Sequence, residues 1–190
     1  MHPTISECLD ILRSQSAEKD QKQTAIIIIA FSLEKSNVIR TPFDYTDYLP
    51  PTLLNHRHSE VEQGEIVLAL LQIFEDGPYV ETGIFWAIGK ALPCVNVCNL
   101  SPFFAKHWHE WGDSLLRSAI ESLGRGLVDS YWDNDEQPVP EITSVLCETR
   151  LRECMQAILQ RDYLHDDDVY YVADRILGQI ELHHKPEDDA

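Results

Sequence analysis

No apolar run in this 190-residue chain approaches the ~20 residues needed to cross a bilayer. The longest, AIIIIAF from Ala25 to Phe31, has the size of a core segment. The opening MHPTISECLD lacks a basic stretch followed by an apolar one, so no secretory signal is expected and the expected location is cytoplasmic. Strand signals are missing too. Only the isoleucine quartet Ile26–Ile29 has strand-like composition, and a lone strand would leave its backbone groups unpaired, so helix is expected there as well. There is no Gly-x-Ser-x-Gly elbow, no phosphate-cradling glycine loop and no cysteine with a sequence-marked base, which argues against an enzyme. The five cysteines, Cys8, Cys94, Cys98, Cys147 and Cys154, are odd in number and set mostly in apolar helical patterns. They read as free thiols of a reducing compartment. Cys94-x3-Cys98 has no second pair at finger-like spacing, so neither a zinc nor any other cofactor is expected.

Positive charge is scarce as well. Fifteen Lys and Arg stand against 32 Asp and Glu, a net charge of −17. Such a field repels nucleic acid and anionic lipid, and it attracts basic proteins and speeds their encounter. It also exceeds what solubility asks of a small domain. With 44% apolar residues, the chain is nonetheless expected to fold rather than remain an acidic coil.

What the sequence has is helical periodicity. Thr4-x-x-Glu7 has capping-box form, with Ile5, Cys8, Leu9, Ile11 and Leu12 on one face. Ser16 is a candidate cap for a helix to about Lys35, holding Ala25, Ile28, Ile29 and Leu33 inward. Ser59-x-x-Glu62 is another capping box, followed by an inward stripe of Ile66, Val67, Leu70, Ile73 and Phe74. Asp76-Gly77-Pro78 should end that helix, with Pro78 in the first turn of the next, which carries Ile84, Phe85 and Ile88. Ser101-Pro102 predicts a cap before a longer helix through Phe104, Trp108, Trp111, Leu115, Ile120 and Leu123, ended by Gly124-Arg125-Gly126. Ile142, Val145, Leu146, Met155, Ile158 and Leu159 line one further helix. A last helix, capped by Asp166 or Asp167, holds Val172, Ile176, Leu177 and Ile180 inward. The expectation is one all-α domain over 1–190 with about seven helices, acidic loops near 36–51 and 127–140, and a frayed tail over 185–190.

Leu53-Leu54-Asn55-His56, then Val61 and Ala69-Leu70, resemble a HEAT-type repeat: a leucine pair, a polar turn, and a second helix starting with an inward valine. Ala87-Ile88-Gly89 resembles the small-large-glycine step of such repeats. The resemblance covers 49–92 and implies an irregular HEAT-like bundle of helical hairpins. The usual turn aspartate and the arginine after the valine are absent. In size, acidity and helical layout the chain is also similar to immunity proteins of bacterial polymorphic toxin and contact-dependent inhibition systems. That likeness implies a protein that binds and blocks one cognate toxin.

Two acidic-aromatic clusters are the candidate partner-binding residues: Asp44, Tyr45, Asp47 and Tyr48, and then Asp129, Tyr131, Trp132, Asp133, Asp135 and Glu136. Aromatic anchors ringed by charge suit an interface, although loop aromatics also serve as packing pins. His107-Trp108-His109-Glu110-Trp111 lacks the second histidine four residues on that a helical zinc-protease motif needs. His56-Arg57-His58 reads as solvated turn residues, a basic spot that could seat a carboxylate, and His165-Asp166-Asp167-Asp168 as capping acids. The leading expectation is a non-enzymatic inhibitor that occludes the basic cleft of a toxin, such as a nuclease. The alternatives are a HEAT-like scaffold binding a helix or peptide, and a metal-dependent enzyme using His107, Glu110 and the segment from His165 to Asp168.

Overall fold

The computed structural model describes residues 1–37, 43–77, 81–131, 140–160 and 167–183. Among them are ten α-helices, one 3-10 turn and no strand, so the all-α class holds. The helices are α1 (Pro3–Arg13), α2 (Lys19–Asn37), α3 (Pro51–Leu54), α4 (Glu60–Asp76), α5 (Thr82–Ile88), α6 (Pro93–His107), α7 (Asp113–Tyr131), α8 (Pro140–Glu148), α9 (Leu151–Leu159) and α10 (Asp167–His183). They fall into two compact units, Met1–Asn96 and Val97–Ala190, divided within α6.

In the first unit α1 packs on α2 and α4, and α5 packs on α2 and α4. Ile5, Leu9 and Leu12 of α1, Ile29 and Leu33 of α2, Ile66 and Leu70 of α4 and Phe85 of α5 are all buried in the core between these helices. The isoleucine quartet is helical as expected, because α1 and α5 offer α2 two apolar sides and no strand offers it a ladder. Local starts and stops differ in detail. His2, not Thr4, caps α1: its Nδ1 accepts from Thr4 N–H at 3.2 Å, and Pro3 takes the first turn, where its missing N–H costs nothing. α2 begins at Lys19 rather than behind Ser16, with the Gln21 side chain accepting from Glu18 N–H at 2.9 Å. The Ser59–Glu62 capping box forms in both directions. Gly77 ends α4 in the left-handed region at φ 77°, where a side chain would be strained. Pro78 lies outside the described residues, and α5 starts only at Thr82. Val61, which the repeat pattern places inward, is 73% exposed.

In the second unit α10 packs on α7 and α9, and α8 on α9. Ser101 and Pro102 sit inside α6 rather than before a new helix. The expected long helix is broken instead by the 3-10 turn Trp108–Glu110. Gly124 and Gly126 do not stop α7, which runs to Tyr131, and neither has positive φ. Gly124 faces α10, where a Cβ would meet Val172 Cγ1 at an ordinary contact distance of 3.4 Å. α7 thus takes in 127–131 of the expected acidic loop, whereas 132–139 and the tail over 185–190 lie outside the described residues. The single helix expected from Ile142 to Leu159 is two, parted at Arg150, whose φ of 53° breaks the helical path. These two splits, together with the four-residue α3, raise the count from seven to ten.

One polar group ties the first unit together. Gln63 is buried on α4; its Nε2 donates to Asn37 Oδ1 (2.9 Å) and to the His58 carbonyl (3.2 Å). Its Oε1 accepts from Asn37 Nδ2 (3.1 Å) and Leu92 N–H (2.9 Å). Asn37 also donates to the Lys90 carbonyl at 2.9 Å. Replacing Gln63 by Leu strands these groups away from water. Denaturant unfolding should show a loss of about 2–3 kcal/mol, against less than about 0.5 kcal/mol for Leu at the exposed Gln72.

Candidate functional site

Phe31 stands half-buried on α2, and four rings gather on it. Phe43 stacks at a centroid distance of 5.5 Å and 17° between planes, and Tyr48 lies at 4.6 Å. Tyr45 and Trp86 of α5 approach edge-on at 6.0 and 5.8 Å. Phe43 and Tyr48 also stack with each other at 5.6 Å and 24°. The backbone explains which rings point out. Asp44 Oδ1 accepts from Thr46 N–H at 2.9 Å, starting a turn closed by Tyr48 and Leu49 N–H on the Tyr45 carbonyl. That turn sends Tyr45 inward, 7% exposed, and leaves Phe43 and Tyr48 open at 43% and 45%. The same Thr46 bond holds the Asp44 carboxyl below its ordinary value, so it stays charged. Asp44 and Asp47 flank the open rings in water. Behind them Lys90 lies 5.8 Å over Trp86 and pairs with Glu34.

The first predicted cluster is thus brought together, with a division of labour: Tyr45 is a packing pin, whereas Asp44, Asp47 and Tyr48 face outward. Phe31, Phe43 and Trp86 were missed. Phe43 follows Pro42 in the acidic loop expected near 36–51, but nothing local links it to residues 12 before it and 43 after it. Of the second cluster, Asp129 and Tyr131 belong to the last turn of α7, where only the backbone is described. Trp132, Asp133, Asp135 and Glu136 lie outside the described residues.

A second site gathers at the start of α4. His58, expected to be solvated, is 5% exposed. Its Nε2 lies 3.2 Å from Ser32 Oγ on α2. That hydroxyl already donates to the Ile29 carbonyl at 3.0 Å, so it must accept from His58 Nε2–H. Nδ1 is left as a buried lone pair without a hydrogen-bond partner. His56 Nε2 is likewise buried without a hydrogen-bond partner and stands at ion-pair range, 3.9 Å, from Glu62 Oε2. The His56 ring centroid lies 4.6 Å from that of His58 and 4.8 Å from that of His2. Burial pushes the His58 pKa down to about 4; the His56 imidazole reinforces this and the Glu62 carboxylate opposes it. Glu62 is itself held low, chiefly by the Ser59 backbone N–H. The sequence signal was His-x-His directly before the Ser59 cap, but burial of the second ring depends on Ser32, 26 residues away.

His107 Nδ1 lies 3.7 Å from Glu110 Oε2 and His109 Nε2 3.4 Å from Glu110 Oε1. Neither belongs to a three-ligand group among the described residues, and His165 and Asp166 fall outside them. All five cysteines are free thiols, and burial raises the Cys8 pKa to about 11. No described helix is long and apolar enough to cross a membrane. Compared with protein-family models, curated proteins and solved structures, the chain gives no significant match.

The depressed pKa of His58 has a signed consequence. The folded state favours the neutral ring, while the unfolded ring takes up a proton near its ordinary value of 6.5. Stability from this group is therefore complete above pH 6.5 and declines as pH falls towards 4. Urea melts in chelator-treated buffer should show that decline, and His58→Gln should flatten it over the same window.

Proposed function

We propose that the protein is a non-enzymatic inhibitor of a basic protein, acting as an immunity protein that neutralises a cognate bacterial toxin in the cytoplasm. The observation that carries this reading is the open pair Phe43 and Tyr48, stacked on Phe31 and flanked by Asp44 and Asp47, on a chain of net charge −17. Stacked rings spend little conformational freedom on binding, because the turn and Phe31 already hold them. The carboxylates take the places a cationic cleft offers to phosphates, and the rings exclude water around them. Occlusion of a nuclease cleft needs nothing more than this. The second cluster, Asp129 to Glu136, is proposed as additional contact surface on its sequence pattern alone.

A scaffold reading has one observation in its favour. Val61 and Leu68, two turns apart on α4, are both exposed, and no atom would meet a Cβ on Gly64 between them. A partner helix could lie along that strip.

The product of the neighbouring gene is the partner to test, since immunity proteins are encoded beside their toxins. Its association rate should drop by roughly tenfold or more between low and high salt. Tyr48→Ala and the pair Asp44→Asn, Asp47→Asn should each weaken binding without lowering Tm. Tyr45→Ala should lower Tm instead. Salt-insensitive binding that is lost only on Val61→Glu or Leu68→Glu would replace the inhibitor with the scaffold.

A further inference from the structure

We propose that His56, His58 and Glu62 bind one divalent transition-metal ion, zinc above all, at the first turn of α4. One ring nitrogen of each histidine and a carboxylate oxygen of Glu62 lie within 4.8 Å of one another. Around a tetrahedral ion with bonds of ~2.0–2.1 Å, ligand atoms stand roughly 3.4 Å apart. The His56–Glu62 pair is already at 3.9 Å, and no pair has to close from further than 4.8 Å. Two imidazoles and a carboxylate are the donor set that zinc accepts, with a fourth position left to water.

Proximity alone would not distinguish this cluster from a crowded helix start. The state of the two buried ring nitrogens does. His58 is almost entirely removed from water, and the hydrogen bond it makes is a donation from Nε2–H to Ser32 Oγ. A histidine so bound has its other nitrogen unprotonated, which is the form a metal takes up, with Ser32 orienting the ring from behind. His56 Nε2 is a second buried nitrogen lacking any hydrogen-bond partner. Native structures rarely leave two such atoms on rings whose centroids lie 4.6 Å apart. An ion between them would satisfy both. Glu62 Oε2, the oxygen that faces His56, accepts the Ser59 N–H and keeps a second lone pair with which to ligate, while Oε1 pairs with the N-terminal ammonium at 3.4 Å. Its charge also offsets the repulsion that a helix N-terminus exerts on a cation. His2, whose ring lies against that of His56, borders the open side.

This site is independent of the inhibitor reading, and its test needs no partner. The full-length chain, stripped with chelator and kept reduced, is titrated with zinc alone by calorimetry, and with cobalt alone by visible absorption. The expected result is one ion per chain, with cobalt d–d bands and no thiolate charge-transfer band. Loss of an outer partner of a metal ligand costs ~10–100-fold in affinity, so Ser32→Ala should fall in that range. His56→Gln and Glu62→Gln should cost more; Gln at the third helical position preserves the cap, and thermal melts confirm that each variant folds. Cys94→Ser with Cys98→Ser should bind as the parent does. Failure of the stripped parent to take up stoichiometric zinc on titration, a thiolate band with cobalt, or unchanged affinity in both His56→Gln and Glu62→Gln would each overturn the proposal.

Discussion

Gln63 is buried, and every partner its side chain finds comes from a different stretch of chain: Asn37 at the end of α2, the His58 carbonyl ahead of α4, and Leu92 N–H beyond α5. Such a group is tolerated in a core only when all its bonds are made, so the amide admits one arrangement of these segments. Apolar packing of Ile29, Leu33, Ile66 and Phe85 supplies the driving force but is indifferent to small slides along the helices. The amide is not. It sets the depth of α2 against α4, and Asn37, through the Lys90 carbonyl, sets the end of α5 as well.

Both candidate sites follow from that constraint. With α2 and α5 pinned at their ends, Phe31 and Trp86 meet edge to face and form the floor on which Phe43 and Tyr48 lie. With α2 pinned to the start of α4, Ser32 faces His58 and fixes which nitrogen of that ring carries the proton. The outward rings and the imidazole cluster therefore share one scaffold of polar bonds while offering different chemistry. One presents aromatic surface edged by acids to a macromolecule, and the other gathers nitrogen and oxygen lone pairs at a helix start.

The helix class and the inward stripes of α1, α4 and α5 were legible because period and caps are local. Ser59, Glu62 and Gly77 work within four residues of themselves. Breaks that depend on packing were not: Gly124 has the composition of a stop and lies inside α7, and Arg150 has that of a helix and is the bend. In the candidate face, Asp44 and Asp47 could be read as outward, since charge seeks water. The opposite fates of Tyr45 and Tyr48 depend on a turn and on Phe31, far along the chain. Gln63 and His58 were invisible as buried groups because their partners come from three other segments. Polar residues in a core are specified by tertiary bonds, which no local pattern announces.

Hydrogen exchange across the first unit, measured with and without the product of the neighbouring gene, tests most directly whether the acid-edged aromatic turn is where a partner lands. The account predicts that binding slows exchange at residues 43–49 most strongly, since the Tyr48 and Leu49 amides close that turn. Slowing confined to the outer face of α4 around Val61 and Leu68, with 43–49 unchanged, would contradict it.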